Sequence, residues 1–209
     1  MKVLLVNGSP HPEGCTHTAL MEIAAALDAC GIGSEEFWIG NQPLAGCIAC
    51  GVCGRNSRCF RDDAVNRFLD KAAACDAFVF GTPVHYASAA GAMVSFMDRA
   101  FYAGGYRGGA LAGKPAAAVV SARRGGNTAT FDQMNKYFAI SHMPIVTSQY
   151  WNMVHGNTPD QVRQDAEGLQ TMRSLARNMA WLLRCIEAGR AAGVEEPEYE
   201  PPMRTNFIR

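Results

Sequence analysis

Four of the eight cysteines fall within thirteen positions, Cys47, Cys50, Cys53 and Cys59, in the spacing C-x2-C-x2-C-x5-C. Four thiolates delivered by one short loop can enclose a [4Fe–4S] cluster, because each C-x2-C turn aims two sulfurs at a common point. The spacing departs from the bacterial ferredoxin run, whose last interval is three residues followed by Pro. Here that interval is five and Phe60 follows. Zinc also takes four thiolates, usually as two pairs set further apart, and a loop of thiols that binds nothing is the remaining alternative. Cys30, Cys75 and Cys185 sit near helix ends or on apolar stripes and read as small buried hydrophobes. Cys15, at an expected helix N-terminus, is a place for a lowered thiol pKa.

A second concentration of chemistry lies in Asn7-Gly8-Ser9-Pro10-His11-Pro12-Glu13-Gly14-Cys15-Thr16-His17-Thr18. An apolar run precedes it and a helical pattern follows, so the segment leads from a strand into a helix. It offers hydroxyls at Ser9, Thr16 and Thr18 and the free N–H groups of a first helical turn, where the helix dipole favours an anion. Neither the Walker spacing nor Gly-x-Gly-x-x-Gly is present. That disfavours a triphosphate or a Rossmann-bound dinucleotide and favours a single phosphomonoester. The competing reading is helix capping by Thr16 with the other hydroxyls in water, and the residues alone leave the two level.

The elements that must position these groups follow from hydrophobic periodicity. Strands are expected at Lys2–Val6, Glu35–Ile39, Ala77–Gly81 (closed by Thr82-Pro83), Ala116–Ser121 and Ile145–Ser148. Helices are expected at Thr16–Cys30, Ala64–Ala74 (capped by Asp62 or Asp63), Ala89–Tyr102 and Thr128–Ser141. A long last helix starts at Thr158-Pro159, with Thr as N-cap and Pro at N1, and keeps an apolar stripe through Val162, Leu169, Met172, Leu175, Met179, Leu182, Leu183 and Ile186 to about Ala188. Strands alternating with helices imply an α/β fold: a doubly wound, five-stranded parallel sheet with helices on both faces. One domain is expected over residues 1–190, with an extended tail over 191–209. In such sheets ligands sit at the carboxyl ends of the strands, at the switch in strand order. Three loops qualify, after Val6, after Gly81 and after Val120, and all three carry unusual polar, Gly or Pro chemistry. Gln149–Gly156, an aromatic stretch after the last strand, is placed near the site mouth or a subunit contact.

Composition excludes several classes. With 48% hydrophobic and 18% charged residues the chain is too apolar to be disordered. Nineteen basic against nineteen acidic residues give no net charge, which argues against a nucleic-acid binder. The opening apolar run is too short for a signal peptide or a bilayer span, and no later segment approaches one. A cytoplasmic protein without membrane partners is expected, a setting in which cysteines are free thiols, metal ligands or redox centres rather than a disulfide framework.

Ser9-Pro10-His11 followed by Cys15-Thr16-His17-Thr18 resembles the phosphate loop of the flavodoxin-like NAD(P)H-dependent FMN reductases. Thr82-Pro83-Val84-His85-Tyr86 is similar to that family's second flavin loop, and Ser121-Ala122-Arg123-Arg124-Gly125-Gly126 to its third. The cysteine spacing resembles the compact motif of iron–sulfur flavoproteins, which share the scaffold. The resemblance implies FMN, its phosphate on Ser9, His11, Cys15, Thr16, His17 and Thr18. It implies the ring against Pro83, Val84, His85 and Tyr86, near N5 and O4, with Ser121 to Gly126 around N1 and O2. Arg123 and Arg124 would serve the flavin, the phosphates of NAD(P)H, or neither, as a solvated pair. His11 stands where the family often has Arg or Lys, which implies a weaker or pH-sensitive phosphate contact.

The activity so implied is hydride transfer from NAD(P)H to flavin N5 and on to a small acceptor such as a quinone or free flavin, with no catalytic side chain required. The alternative is an electron carrier with FMN and a [4Fe–4S] cluster at Cys47, Cys50, Cys53 and Cys59, exchanging electrons with a ferredoxin. A flavin-free binding module on the same fold is the third. A homodimer or homotetramer is implied, because a second subunit usually completes the ring edge in this family.

Overall fold

Val3 and Leu5 of the strand β1 (Lys2–Asn7) point to one face and Leu4 and Val6 to the other, and all four are fully buried. A strand apolar at successive positions belongs in a parallel sheet covered on both sides. The computed structural model, which describes residues 1–106, 108–201, 203 and 205, places β1 inside that sheet, between β2 and β3. Around it run β2 (Gly33–Trp38), β3 (Ala77–His85), β5 (Ala116–Ala122) and β6 (Met153–His155), all parallel, in the order β2-β1-β3-β5-β6. A short β4 (Ser88–Ala89) folds back antiparallel on the end of β3. This is the flavodoxin-like order, and the chain changes direction across the sheet between β1 and β3.

α1 (Cys15–Ala29) and α7 (Ala166–Ala191) cover the Val3/Leu5 face, joined by Val162 of the short α6 (Pro159–Gln164). Leu20, Ile23 and Leu27 of α1 and Met172, Leu175 and Met179 of α7 supply the buried stripes. α3 (Ala64–Ala72), α4 (Gly91–Gly104) and α5 (Asn127–Ile140) cover the other face. There Phe37, Phe68, Phe80, Phe96 and Phe138 form a chain of tilted and edge-on rings, Phe68 and Phe96 lying 5.1 Å apart. The remaining helix, α2 (Cys53–Asn56), is a single turn in the cysteine loop.

The edge strand departs from the sequence expectation. Of the apolar run Ile145–Ser148 only Ile145 makes a bridge, to Ala116, and the ladder proper is Met153–His155 against Val120–Ala122. Between these contacts β5 advances four residues (116 to 120) while its neighbour advances eight (145 to 153). The surplus leaves the sheet as an excursion carrying Tyr150 and Trp151, whose exposed rings pack 4.7 Å apart.

The single helix expected from Thr158 is two. Thr158 caps α6, accepting the Gln161 N–H at 3.3 Å, and Pro159 follows at N1. The helix then breaks at Asp165 (φ −76°, ψ 78°), whose carboxylate accepts the N–H groups of Gly168 at 2.9 Å and His155 at 2.7 Å. β3 does not close at Thr82-Pro83 but continues to His85. Cys75 is buried as expected, whereas Cys30 is half-buried and Cys185 exposed, on the outer side of α7. Of the expected tail, Ala191 still belongs to α7, Glu196 pairs with Arg190, and the Tyr199 ring packs on His142 at 4.5 Å. Residues 202, 204 and 206–209 of that tail lie outside the described residues. Among the described residues no helix is long and apolar enough to cross a membrane.

Candidate active site

At the end of β1 the chain is tied down by its own polar groups. Asn7 Oδ1 accepts the Ser9 N–H at 3.0 Å, and Ser9 Oγ accepts the His11 N–H at 3.1 Å. Asn7 Nδ2 donates to the Pro12 carbonyl and to Glu36, and Trp38 Nε1 donates to the Ser9 carbonyl at 2.7 Å. Glu36 also lies 2.9 Å from His17 Nδ1, so the end of β2 holds both the loop and the first turn of α1. Ser9 is buried and His11 exposed.

α1 begins at an N-cap, Gly14, that has no side chain to offer, and nothing caps it. This is a pattern rather than an accident. Asp63, Thr158 and Asp165 cap α3, α6 and α7, while the single turn α2 has no side-chain cap, nor do α1, α4 and α5, which follow the carboxyl ends of β1, β3/β4 and β5. The unpaired first-turn N–H groups of those helices open onto the switch point. Thr16 does not cap either. It is fully buried and its hydroxyl lies 2.8 Å from that of Ser121, joining the first and third loops. Thr18 donates back to the Gly14 carbonyl at 3.2 Å. The Cys15 thiol faces the Gly156 carbonyl at 3.6 Å, and burial pushes its pKa up. The lowered value expected at a helix N-terminus is thereby corrected: desolvation outweighs the backbone hydrogen bond that lowers it.

In the second loop Pro83 and Val84 are half-buried and His85 exposed. Tyr86 and Ala87, the two residues between the paired His85 and Ser88, both have positive φ (50° and 63°). A two-residue hairpin of that kind ordinarily uses Asn-Gly, so a Tyr there is strained, and its side chain is fully exposed. Gln133 of α5 fastens the hairpin through the Ser88 hydroxyl at 2.8 Å and the Ala89 N–H at 3.2 Å. In the third loop Ser121 and Ala122 are buried, and Arg123, Arg124 and Gly125 exposed. Gly126 (φ 91°) lies so close to the hairpin that a Cβ would meet Ala87 Cα at 2.6 Å. The next residue, Asn127, is buried with an unpartnered Nδ2.

The cysteines occupy the loop between β2 and α3, at the same edge of the sheet. All four line one pocket, walled also by Phe60, Arg61, Arg99 and Tyr102. Cys47 and Cys50 are exposed, Cys53 and Cys59 half-buried against the core. Burial pushes the Cys53 thiol up. The Ala49 N–H points at Cys47 Sγ at 3.4 Å. Cys59 is the most fixed of the four. Asn66 pairs with both its N–H and its carbonyl at 2.9 Å, and the Arg99 guanidinium faces its sulfur. Among the described residues no three Cys, His, Asp or Glu side chains converge on a single point. The donor set is all sulfur with N–H groups directed at it, which suits iron–sulfur chemistry or zinc and disfavours hard cations.

Residues 1–158 match the NADPH-dependent FMN reductase family. The chain belongs to that family. An iron–sulfur flavoprotein of Methanocaldococcus jannaschii is 30% identical over 198 residues, covering 90% of this chain and 100% of that protein. An iron–sulfur flavoprotein of Methanosarcina thermophila is 26% identical over 196 residues, 91% and 99% of the two chains. The fold is shared with an NAD(P)H:quinone oxidoreductase from Methanothermobacter marburgensis (TM-score 0.65, 16% identity, 86% of this chain and 96% of that one). It is shared also with RosB holding a riboflavin-5′-phosphate derivative (TM-score 0.69, 15% identity, 100% and 92%).

For this FMN reductase family member the three loops fit the family's cofactor. The uncapped α1 offers donors to a phosphate, the glycine turn lets backbone approach a flat ring, and the orphaned Asn127 amide supplies a buried donor without a partner. Sequence reasoning missed Asn127, which looks like an ordinary first helical residue after Gly125-Gly126. It also missed Arg99, whose signal was available: a cation on the apolar stripe of Met93, Phe96, Met97 and Ala100.

Proposed function

We propose that the chain is an FMN-dependent oxidoreductase that also holds a [4Fe–4S] centre at Cys47, Cys50, Cys53 and Cys59. The observation that carries this reading is the gathering of all four cysteines around one pocket at the same sheet edge as the flavin loops. The full-length likeness to two proteins named iron–sulfur flavoproteins supports it. FMN, when bound, supplies the chemistry, accepting a hydride or single electrons at its ring and returning them to an acceptor.

The chain's own residues bind and orient. The hydroxyls of Ser9 and Thr18 and the N–H groups of Cys15, Thr16 and His17 would hold the phosphate, with His11 at the rim and the buried Thr16 hydroxyl bracing the loop against Ser121. Pro83, Val84, His85 and Tyr86 would flank the ring. Ser121, Ala122, Gly125, Gly126 and Asn127 would offer donors to the ring, where they would favour the negative charge that reduction creates. Arg123 and Arg124, exposed beside that loop, attract the phosphates of NAD(P)H.

Two electron routes follow. Exchange with a one-electron protein such as a ferredoxin is favoured by the exposure of Cys47 and Cys50 at the pocket mouth. Transfer from NAD(P)H to a quinone or free flavin is favoured by the family's description and by the open face at His85 and Tyr86. A second copy of the chain, in a homodimer or homotetramer, covers the exposed Tyr86.

Anaerobically isolated protein is expected to carry one FMN and about four iron and four sulfide per chain. FMN without iron or sulfide removes the cluster and leaves the NAD(P)H route, and protein that does not retain FMN overturns the whole reading. Comparing NAD(P)H oxidation with a quinone against electron exchange with reduced ferredoxin separates the routes.

A further inference from the structure

We infer that Arg99 is a positioning residue for the iron–sulfur centre: its buried guanidinium holds two N–H donors on the sulfur of Cys59, and Asp63 sets how much of its positive charge the centre feels. This rests on the reading of the cysteine loop given above.

Arg99 lies on α4, in the middle of an apolar stripe, with its side chain 1% exposed. Its Nε and Nη2 are each 3.3 Å from Cys59 Sγ. Nη1 and Nη2 grip the Asp63 carboxylate in a bidentate fork at 2.7 and 2.9 Å. The same group donates to the carbonyls of Ala45 at 3.2 Å and Arg61 at 3.4 Å. One side chain thus ties the residues just before Cys47 and just after Cys59 to a single point on α4.

A neck clamp alone does not need this chemistry. A buried cation is costly unless it is paired, and a carbonyl-binding clamp needs no donors aimed at a thiol. Asp63 also caps α3, its Oδ1 accepting the Val65 N–H at 3.0 Å as well as Arg99 Nη2, while its Oδ2 is left to Arg99 Nη1. Hydrogen bonds to ligating sulfur and nearby charge are the levers that set the potential of an iron–sulfur centre. Reduction of such a centre adds one electron and one negative charge, with no bond made or broken. A donor cation on a ligating sulfur stabilises the reduced form, and a carboxylate behind that cation partly cancels the effect.

The test is a mediated redox titration, followed by EPR for the centre and by visible absorption for the flavin, on wild type, Asp63→Asn and Arg99→Lys. Asn keeps the helix cap but removes the compensating charge, so the centre is expected to become easier to reduce. Lys keeps the charge but cannot reproduce the planar fork, so the centre is expected to become harder to reduce. Each shift is expected to be about tenfold in the reduction equilibrium, ~59 mV for a one-electron couple, with the flavin's potential unmoved. Opposite shifts in the two variants support the inference. Iron-replete variants whose potentials match wild type, or move together, overturn it and leave the cluster standing. Wild type without iron and sulfide overturns the cluster and this inference with it. If Arg99→Lys does not fold, Asp63→Asn decides alone: a rise supports, and no change or a fall overturns.

Discussion

The hydroxyls of Thr16 and Ser121 meet at 2.8 Å across 105 residues of chain. Sequence patterning picks out both residues, each at its own strand end, but pairing between loops is a property of strand order and cannot be read from either loop. Ser9→Ala with Thr16→Ala is expected to weaken FMN binding, Ser9 by the loss of a hydrogen bond to a charged group worth ~1.5–3 kcal/mol and Thr16 by releasing the first loop from Ser121. Titration of apoprotein by flavin fluorescence measures it, and unchanged affinity places the phosphate elsewhere. Tyr86 gives a prediction of opposite sign for stability. Its left-handed backbone costs about 1–2 kcal/mol, more than the ~0.5–1 kcal/mol of extra unfolded-state entropy a glycine brings. Tyr86→Gly is expected to gain up to about 1 kcal/mol in urea unfolding while slowing turnover, which marks the strain as kept for the site. Arg99 was legible only as an anomaly, a cation on an apolar stripe, because its partners come from a loop some forty residues earlier.

Periodicity finds elements well where burial is continuous and poorly where capping or strand pairing decides. Four of the five parallel strands and the main helices were legible because their stripes are unbroken. The break at Asp165 was not: Val162 and Leu169 stay in helical phase across it, so the apolar pattern passes over a change made by a side-chain cap. Asp165→Ala is expected to cost ~0.5–2 kcal/mol, seen as a lower Tm, and an unchanged Tm denies the cap any role. The edge strand was misread for a related reason: the apolar run at 145–148 and the paired run at 153–155 are separated by an excursion that only the ladder reveals. Between α4 and α5, the half-buried Tyr137 hydroxyl donates to Asp98, and burial and that hydrogen bond raise its pKa well above the ordinary ~10. The folded value exceeds the unfolded one, so the unfolded chain loses the proton first. This contribution is whole below about pH 10 and falls as pH rises toward the folded pKa. Tyr137→Phe is expected to flatten the loss of stability above about pH 10, read by urea unfolding at each pH.

At the scale of the molecule, a doubly wound sheet delivers every βα loop to one edge, and this chain has placed its hydroxyls, its strained hairpin, its glycine turn and its cysteines there. α4 joins the two groups. It starts just after the hairpin and carries Arg99 eight residues on, about 12 Å along its axis at 1.5 Å per residue. Light scattering is expected to give the mass of a dimer or tetramer, and a monomer would leave Tyr86 bare and the proposed ring edge incomplete.

FMN binding depends most on a phosphate seated at the uncapped start of α1. Equilibrium binding of FMN and of riboflavin to the same apoprotein tests it directly, since the two differ only in that group. The structure predicts FMN to bind at least about a hundredfold more tightly, the worth of two charge-assisted hydrogen bonds. Equal affinities would contradict it.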